Sequence, residues 1–174
     1  MRDTMLDLET LATQSNAVIV SIGAVNFDEE NLEEEGFYAV LDTADQVKHG
    51  RVIDASTVSW WSTQSDGARK VLSERQQPVV DVLEQFADFC KERIWGNGAD
   101  FDNIILGSLY DAYGIKRPWS YSKNRCFRTI KNVMKLTPKE TRPEFEGVKH
   151  NALADALNQA QHLQVLLKGK IRLS

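Results

Sequence analysis

Residues 17–27 form the segment that most constrains the fold of this chain. Apolar or small residues alternate along both of its faces, which is typical of a strand covered on both sides. Strand patterns also occur at residues 4–9 and 37–41, and the polar segment 28–36 joins the second pattern to the third. We therefore predict that the chain opens with three antiparallel strands in a meander.

Helical spacing dominates the remainder of the chain. Helices are predicted within residues 54–74 and over 79–92, 101–113, 125–135 and 152–167, with a short strand at Ile94 and Trp95 and a loop over 137–149. This order predicts an α/β fold, in which a mixed sheet (the antiparallel meander plus parallel strands) is flanked by helices. The ribonuclease-H-like architecture fits that order. The length of 174 residues suits a single domain over 1–174.

The composition is that of a soluble globular protein. Hydrophobic residues make up 42% of the chain, and no apolar run approaches the roughly 20 residues that span a bilayer. The first strand pattern follows Met1 almost at once, so no export signal is expected. Cys90 and Cys126 lie far apart and form no disulfide or zinc pattern. We therefore expect a cytoplasmic protein with free thiols and no membrane contact.

The charge is distributed unevenly, although the net charge is only −4. Residues 1–46 carry eleven acidic residues and one basic residue, whereas residues 116–149 carry ten Lys or Arg against three Glu. A local positive excess of this kind can guide a phosphate backbone. The same segment is also compatible with a solvated basic surface that has no partner.

The first motif of chemical interest is the pair Asp7 and Glu9. The two residues lie two positions apart in an extended segment, so both carboxylates project from the same face of one strand. Hard oxygen ligands of this kind favour Mg²⁺ or Mn²⁺. Such pairs also occur on solvated strands, but Leu6 and Leu8 flank the acids here, which argues against a surface strand.

A second acid follows a glycine-flanked turn. In the segment from Asn97 to Asp102, the turn delivers Asp102 to the first turn of an apolar helix. We assign the functional acid to Asp102, with Asp100 as the alternative or as a helix cap. The third motif is His150 with Asp155 at the start of the last helix. A structural histidine and an acid that complements the helix dipole are the alternative for this pair.

Together the motifs resemble those of a known family, the DEDDh 3′-to-5′ exonucleases. They occur in one order: Asp7-x-Glu9, Asn97-x3-Phe101-Asp102 and His150-x4-Asp155. All five signature positions are filled, and the resemblance extends over essentially the whole chain. Within the family, the chain resembles the small group that contains phage exonuclease A and the mycobacterial adenosine-preferring exoribonuclease. Residues 53–61 and 95–102 carry this closer similarity.

The resemblance implies a ribonuclease-H-like fold, two divalent cations (Mg²⁺ or Mn²⁺) and stepwise release of 5′-mononucleotides from a single-stranded 3′ end. It implies that Asp7, Glu9 and Asp155 hold one cation. Asp7 and, through water, Asp102 would hold the other. His150 would be the general base that takes a proton from the attacking water. Because crowded carboxylates repel one another, cation binding should stabilise the fold.

The resemblance also implies contacts with the substrate end. Glu9 and the backbone at Thr10 would bind the terminal 3′ hydroxyl, and Leu8 or Leu11 would pack on the last base.

Further substrate contacts are expected from aromatic, amide and basic side chains. Trp60 and Trp61 are adjacent, so on a helix they point about 100° apart and one of them faces the core. We assign base stacking to Trp61, with packing of both rings as the alternative. Asn97 would contact the sugar or orient its turn. Arg128 and Lys149 are phosphate-contact candidates, with surface solvation as the alternative for Arg128.

Other functions are compatible with the same fold. A catalytically silent nucleic-acid-binding module is one, and a module associated with a polymerase is another. A different ribonuclease-H-like nuclease would lack a histidine five positions before the last acid. The substrate sugar is open, with single-stranded DNA slightly favoured over RNA, and a homodimer is also open. A phage origin would place the protein in the cytoplasm of a bacterial host.

Overall fold

The computed structural model describes residues 2–33, 35–134 and 143–170. Its strands are β1 (Asp3–Thr10), β2 (Ile19–Phe27), β3 (Phe37–Val40), β4 (Arg93–Gly96) and β5 (Asn124–Cys126). In the described residues they form a sheet of order β3-β2-β1-β4-β5. β2 pairs antiparallel with β1 and β3, and β4 pairs parallel with β1 and β5. The predicted meander and mixed sheet are confirmed, and the arrangement is ribonuclease-H-like.

Helices cover both faces of this sheet. Those in the described residues are α1 (Thr43–Lys48), α2 (Ala55–Ser62), α3 (Asp66–Arg69), α4 (Val79–Phe89), α5 (Asp102–Ala112), α6 (Phe127–Met134) and α7 (Ala152–Lys170). Side chains of α4 and α5, such as Phe86 and Leu109, form one core with Leu6 of β1. Side chains of α7, such as Ala160, form a second core with Met5 of β1. Since successive strand residues point to opposite faces, Asp7 and Glu9 lie on the α7 face with Met5.

β2 is the interior strand that the sequence pattern predicts. All nine of its residues are buried. β1 is buried at every position except Asp7, which is partly exposed. The middle of the sheet is therefore covered on both faces, and the partial exposure of β1 is confined to a carboxylate.

The N-terminal end of α7 approaches β2 unusually closely. Ala152, Ala156 and Ala160 are completely buried along this helix. On β2, a Cβ atom built on Gly23 would lie 2.0 Å from the backbone carbonyl carbon of Ala152. Gly23 is also the strand partner of Asp7. Small residues on both elements therefore bring the start of α7 directly over the carboxylates of β1.

The structure differs from the sequence prediction mainly in short elements. β5 occupies the start of the helix predicted over 125–135, and α6 begins only at Phe127. β5 has only three residues, which is too few to show a periodic pattern. It forms a strand because it pairs with β4, which is distant in sequence. The sequence pattern does not predict α1, and α4 ends at Phe89 rather than at 92. Residues 135–142, which include part of the predicted loop, lie outside the described residues.

The length and apolar character of the helices bear on membrane contact. In the part of the chain that the structure describes, none of the helices combines the two to the degree needed to cross a bilayer.

We predict that Gly23→Ala lowers the free energy of unfolding by about 3 kcal/mol or more, the upper end of what overpacking costs. The added methyl group would overlap the backbone of α7, which cannot yield as a flexible side chain does. Urea denaturation measures the change. Gly107→Ala is the matched control, because the atoms nearest to its methyl group would belong to the flexible side chain of Arg117. A Gly23→Ala variant as stable as the control would contradict the close docking of α7.

Candidate active site

β1 supplies two carboxylates to one end of the sheet. Asp7 pairs with Gly23 and Glu9 pairs with Ser21 across the antiparallel ladder. Both side chains therefore point toward the space beneath the start of α7. Gln159 of α7 donates a hydrogen bond from Nε2 to Asp7 Oδ1 at 2.7 Å, which fixes the orientation of that carboxylate.

Asp102 is the first residue of α5 and is almost completely buried. Its carboxylate accepts hydrogen bonds from the backbone N–H groups of Leu8 at 3.2 Å and Asn97 at 2.7 Å. A Cβ atom on Gly96 would lie 2.9 Å from the Cβ of Asp102, so glycine at the end of β4 makes space for this acid. Asp100, the alternative acid, is exposed. The structure therefore brings Asp102, and not Asp100, to β1.

Asp155 and His150 lie at the beginning of α7. Asn151 caps the helix, accepting a hydrogen bond from the backbone N–H of Ala154 at 3.0 Å. The backbone N–H of His150 donates to Asp155 Oδ2 at 2.7 Å. Ligand atoms of Glu9, His150 and Asp155 all lie within 4.8 Å of one another. Residues from both ends of the chain thus converge on one point.

These side chains open into a cleft of about 470 Å³. The lining residues include three of the four acids, the histidine and several hydroxyl-bearing and aromatic side chains: Asp7, Leu8, Glu9, Thr10, Thr13, Ser56, Thr57, Trp60, Asn97, Phe101, His150, Asp155 and Gln159. The cleft therefore has an acidic floor and a wall that is formed in part by α2. This shape can receive one end of an elongated polar ligand.

The carboxylates strongly disfavour one another's charge. Burial raises the pKa of Asp7 well above its ordinary value, and the charges of Asp102, Glu9 and Asp155 raise it further. Burial, Asp155 and Asp102 raise the pKa of Glu9 to about 8. Burial raises the pKa of Asp102 to about 6, even though its backbone hydrogen bonds act in the opposite direction. A cation would relieve this repulsion.

The residues present fit a hard divalent cation. The carboxylate oxygens of Asp7, Glu9 and Asp155 are hard ligands of the kind that Mg²⁺ and Mn²⁺ accept. Two further oxygens, Asn97 Oδ1 and Gln159 Oε1, are buried and receive no hydrogen bond from the described residues. Both residues line the cleft. Unpaired acceptors beside crowded carboxylates are well suited to the water ligands that surround Mg²⁺.

Only some of the residues that were expected to contact the substrate line the cleft. Leu8, Thr10 and Asn97 line the cleft. Leu11 packs instead on the cluster of buried residues around Trp61. Lys149 is exposed and does not line the cleft.

Arg128 lies beside the turn that leads to Asp102. Its Nη2 would be 3.8 Å from a Cβ atom built on Gly98. The positive charge of Arg128 also acts to lower the pKa of Asp102, against the larger effect of burial.

The stacking role assigned to Trp61 needs correction. Trp61 is only 2% exposed, and its indole N–H donates to the carbonyl of Thr10 at 2.9 Å. Trp60 is 42% exposed, lines the cleft and meets the ring of His150 edge to face, with centroids 5.0 Å apart. The α2 helix therefore turns Trp60 toward the cleft and Trp61 toward the core.

Gln159 is a site residue that the sequence motifs do not include. A signal for it exists, because Gln159 lies four residues after Asp155 and so shares its face of a helix. The identity of its partner, 152 positions earlier in the chain, cannot be read from that spacing.

The sheet order, the acidic cluster and His150 define a protein of the ribonuclease-H-like class. More specifically, the chain belongs to the Rv2179c-like 3′-5′ exoribonuclease domain family, which matches residues 2–167. The chain is also similar to a protein of Enterobacteria phage T4 described as an exodeoxyribonuclease. The two are 28% identical over 127 residues, which cover 63% of this chain and 56% of the phage protein. Family membership confirms the resemblance to 3′-to-5′ exonucleases.

The raised pKa values predict how the melting temperature depends on pH. As pH rises, the metal-free protein should lose stability and the stabilisation by a bound cation should grow. Folding raises the pKa of Glu9 to about 8 and of Asp102 to about 6, so the folded state binds their protons more tightly than the unfolded state. The resulting stability is complete below their ordinary pKa values and is lost as pH rises through the raised ones. In chelator, the melting temperature should therefore fall between about pH 5 and pH 8. The stabilisation by millimolar Mg²⁺ or Mn²⁺ should grow over the same range.

Differential scanning fluorimetry measures both trends. Asp7→Asn is the informative variant, because it removes one of the repelling charges. Its melting temperature in chelator at pH 8 should exceed that of the parent protein, and its gain from cations should be smaller. A parent melting temperature that neither cation changes would contradict the cation site.

Proposed function

We propose that this chain is a metal-dependent 3′-to-5′ exonuclease that releases 5′-mononucleotides from single-stranded nucleic acid with two divalent cations, as a single domain. The observation that carries the proposal is the convergence of Asp7, Glu9, Asp155 and His150 in one cleft, with the buried carboxylate of Asp102 close enough to raise the pKa of Asp7. Membership of an exoribonuclease domain family supports the direction of attack. The free thiols Cys90 and Cys126 are compatible with the cytoplasm as its compartment.

In this proposal the four carboxylates are assigned to two cations. Asp7, Glu9 and Asp155 would hold one, and Asp7 and, through water, Asp102 would hold the other. When bound, such cations stabilise the charge that develops on the attacking and leaving oxygens of a phosphodiester. Gln159 holds Asp7 by its amide N–H. Asp102 is held by two backbone N–H groups, so its oxygens keep their places when the cleft is filled.

His150 is the proposed general base. It lines the cleft, and a nitrogen of its ring lies within 4.8 Å of a carboxylate oxygen of Glu9 and of one of Asp155. An imidazole there can take a proton from water as that water attacks the terminal phosphodiester. The edge contact with Trp60 limits rotation of the ring.

Recognition of the 3′ end is assigned to residues around the end of β1. Glu9 and the backbone of Thr10 would bind the terminal hydroxyl, and Leu8 would pack on the last base. Trp61 holds the end of this strand through its bond to the Thr10 carbonyl. Trp60, the exposed indole of the pair, becomes the proposed stacking surface for a base.

Arg128 and Lys149 are proposed contacts for the phosphates beyond the cleft. Arg128 lies near the turn at Gly98, and Lys149 is exposed beside His150. Neither residue needs to read a base, because phosphate contacts position a strand without specifying its sequence.

DNA is slightly favoured as the substrate. The matching family and the similar phage protein point to different sugars, since the family is described as an exoribonuclease domain and the phage protein as an exodeoxyribonuclease. The competing function is a catalytically silent nucleic-acid-binding or polymerase-associated module. Such a module would bind single strands through the same basic residues and would not shorten them.

Replacing His150 by alanine tests the proposed mechanism. Loss of a general base should lower kcat about 10²- to 10⁴-fold while KM changes little. Steady-state kinetics on a labelled oligonucleotide with Mg²⁺ measures both constants. His49→Ala is the control, because that ring stacks on Tyr113 outside the cleft. Full turnover by His150→Ala would remove the histidine from the mechanism.

Replacing Trp60 by alanine tests the stacking surface. Loss of one base contact costs ~1–3 kcal/mol, so the dissociation constant for an oligonucleotide should rise roughly 5- to 150-fold. Fluorescence anisotropy in Ca²⁺ measures binding. Val58→Ala is the matched control, since Val58 is on the same helix, is similarly exposed and does not line the cleft. Equal affinities of the two variants would argue for a packing role of Trp60 alone.

A further inference from the structure

The side-chain amide of Asn158 bonds to the backbone of a residue twelve positions earlier. Asn158 Oδ1 accepts from the backbone N–H of Glu146 at 3.0 Å, and Asn158 Nδ2 donates to the carbonyl of Glu146 at 2.9 Å. Nδ2 also donates to the carbonyl of Ala154 within α7, which fixes the amide plane. Asn158 does not line the cleft. The amide of Asn158 therefore bonds to both the N–H and the carbonyl of Glu146, and it holds this residue against α7.

The tied segment runs from Glu146 to Asn151 and contains His150. Its far end is held by the bond from the His150 N–H to Asp155 and by the Asn151 cap. Within it, the backbone N–H of Asn151 donates to the carbonyl of Val148 at 3.3 Å. The segment is therefore a short loop with both ends fastened to the same helix.

The loop backbone is held in an uncommon conformation. Gly147 has φ 97° and His150 has φ 61°. Among the residues that the structure describes, His150 is the only one with a side chain that has a positive φ. A side-chain-bearing residue rarely adopts such a value unless the surrounding contacts enforce it. The contacts at the two ends of the loop help to enforce it.

We propose that Asn158 is a positioning residue for catalysis, which clamps the loop of residues 146–151 so that the imidazole of His150 stays in the cleft beside Glu9 and Asp155. This inference rests on the proposed function of His150 as the general base. Asparagine suits the role because it supplies a donor and an acceptor at the length needed. Alanine supplies neither, and aspartate keeps the acceptor for the Glu146 N–H but not the donor.

Loss of the clamp should affect the chemical step and leave substrate and cation binding in place. Displacing a reacting group by about 1 Å can cost on the order of 100-fold in rate, so we expect Asn158→Ala to lower kcat about 10- to 100-fold. KM should change little, because Asn158 does not line the cleft. The cation-induced rise in melting temperature should also persist, since the Asn158 amide is bonded to the backbone of Glu146 and Ala154 rather than to a carboxylate.

The deciding experiment is a double-mutant cycle on the full chain with His150→Ala. With the imidazole absent, Asn158→Ala has nothing to position and should leave the residual rate unchanged. If Asn158→Ala lowers the residual rate by the same factor as in the parent protein, its effect is general and the proposal is overturned. A normal kcat for Asn158→Ala alone also overturns it. A normal kcat for His150→Ala would instead refute the general base, which is a separate outcome.

A control on the same helix separates catalysis from stability. Gln164 Nε2 donates to the carbonyls of Asp28 at 2.8 Å and Asn31 at 3.0 Å, so it ties a different loop to α7. Gln164→Ala should lower the melting temperature by an amount similar to that of Asn158→Ala and should leave kcat unchanged. A fall in kcat for both variants would overturn the proposal.

Two measurements keep the test decisive if Asn158→Ala folds poorly. Asn158→Asp keeps the acceptor for the Glu146 N–H but sets a carboxylate oxygen against the carbonyl oxygens of Glu146 and Ala154, so its kcat should fall at least as far as that of the alanine variant. In proton NMR spectra, the His150 ring signals carry a ring-current shift from Trp60, because the two rings are in edge contact. This shift should shrink in either Asn158 variant. An unchanged shift together with a reduced kcat would overturn the positioning role.

Discussion

The docking of α7 on β2 is the contact on which the rest of the site depends. The helix carries Asp155 and the residues that hold His150, and Gly23 allows its first turn to lie over Asp7. Without that approach, the acids of β1 and the acid of α7 would not share one cleft. The closeness has an electrostatic cost, because it buries like charges together. The fold tolerates this cost because burial on both sides of the central strands stabilises the remainder of the sheet.

Amide and backbone groups organise the charged centre. Asp102 is fixed by two backbone N–H groups, Asp7 by Gln159 and the histidine loop by Asn158. Neutral donors orient the carboxylates while leaving their negative charge available. An ion pair with lysine or arginine would orient an acid equally well but would compete with a bound cation. Among the described residues, no lysine or arginine lines the cleft, and Arg128 lies beside the turn before Asp102.

The sequence was sufficient for the main architecture and for the convergent acids. Residues 17–27 predict the interior strand because an apolar pattern on both faces is typical of a strand with helices packed on either side. The acids are predicted because their order and spacing resemble a known family. Trp60 and Trp61 show the limit of this reasoning, since helical spacing indicates that adjacent residues diverge but not which one faces the core. β5 and Asn158 depend on partners outside the local pattern, so periodicity carries no signal for them. Helical spacing places Gln159 beside Asp155 but does not identify Asp7 as its partner.

The most direct test of the proposed exonuclease activity is a gel time course with 5′-labelled single-stranded DNA and RNA of the same sequence. Each substrate is incubated with the purified protein in Mg²⁺, in Mn²⁺ and in chelator. We predict a ladder that shortens from the 3′ end only when a cation is present, with DNA shortened somewhat faster than RNA. A faster reaction on RNA would reverse the preferred sugar and leave the mechanism intact. Intact substrates in every lane, despite binding of the strands, would contradict the enzymatic function and favour a silent nucleic-acid-binding module.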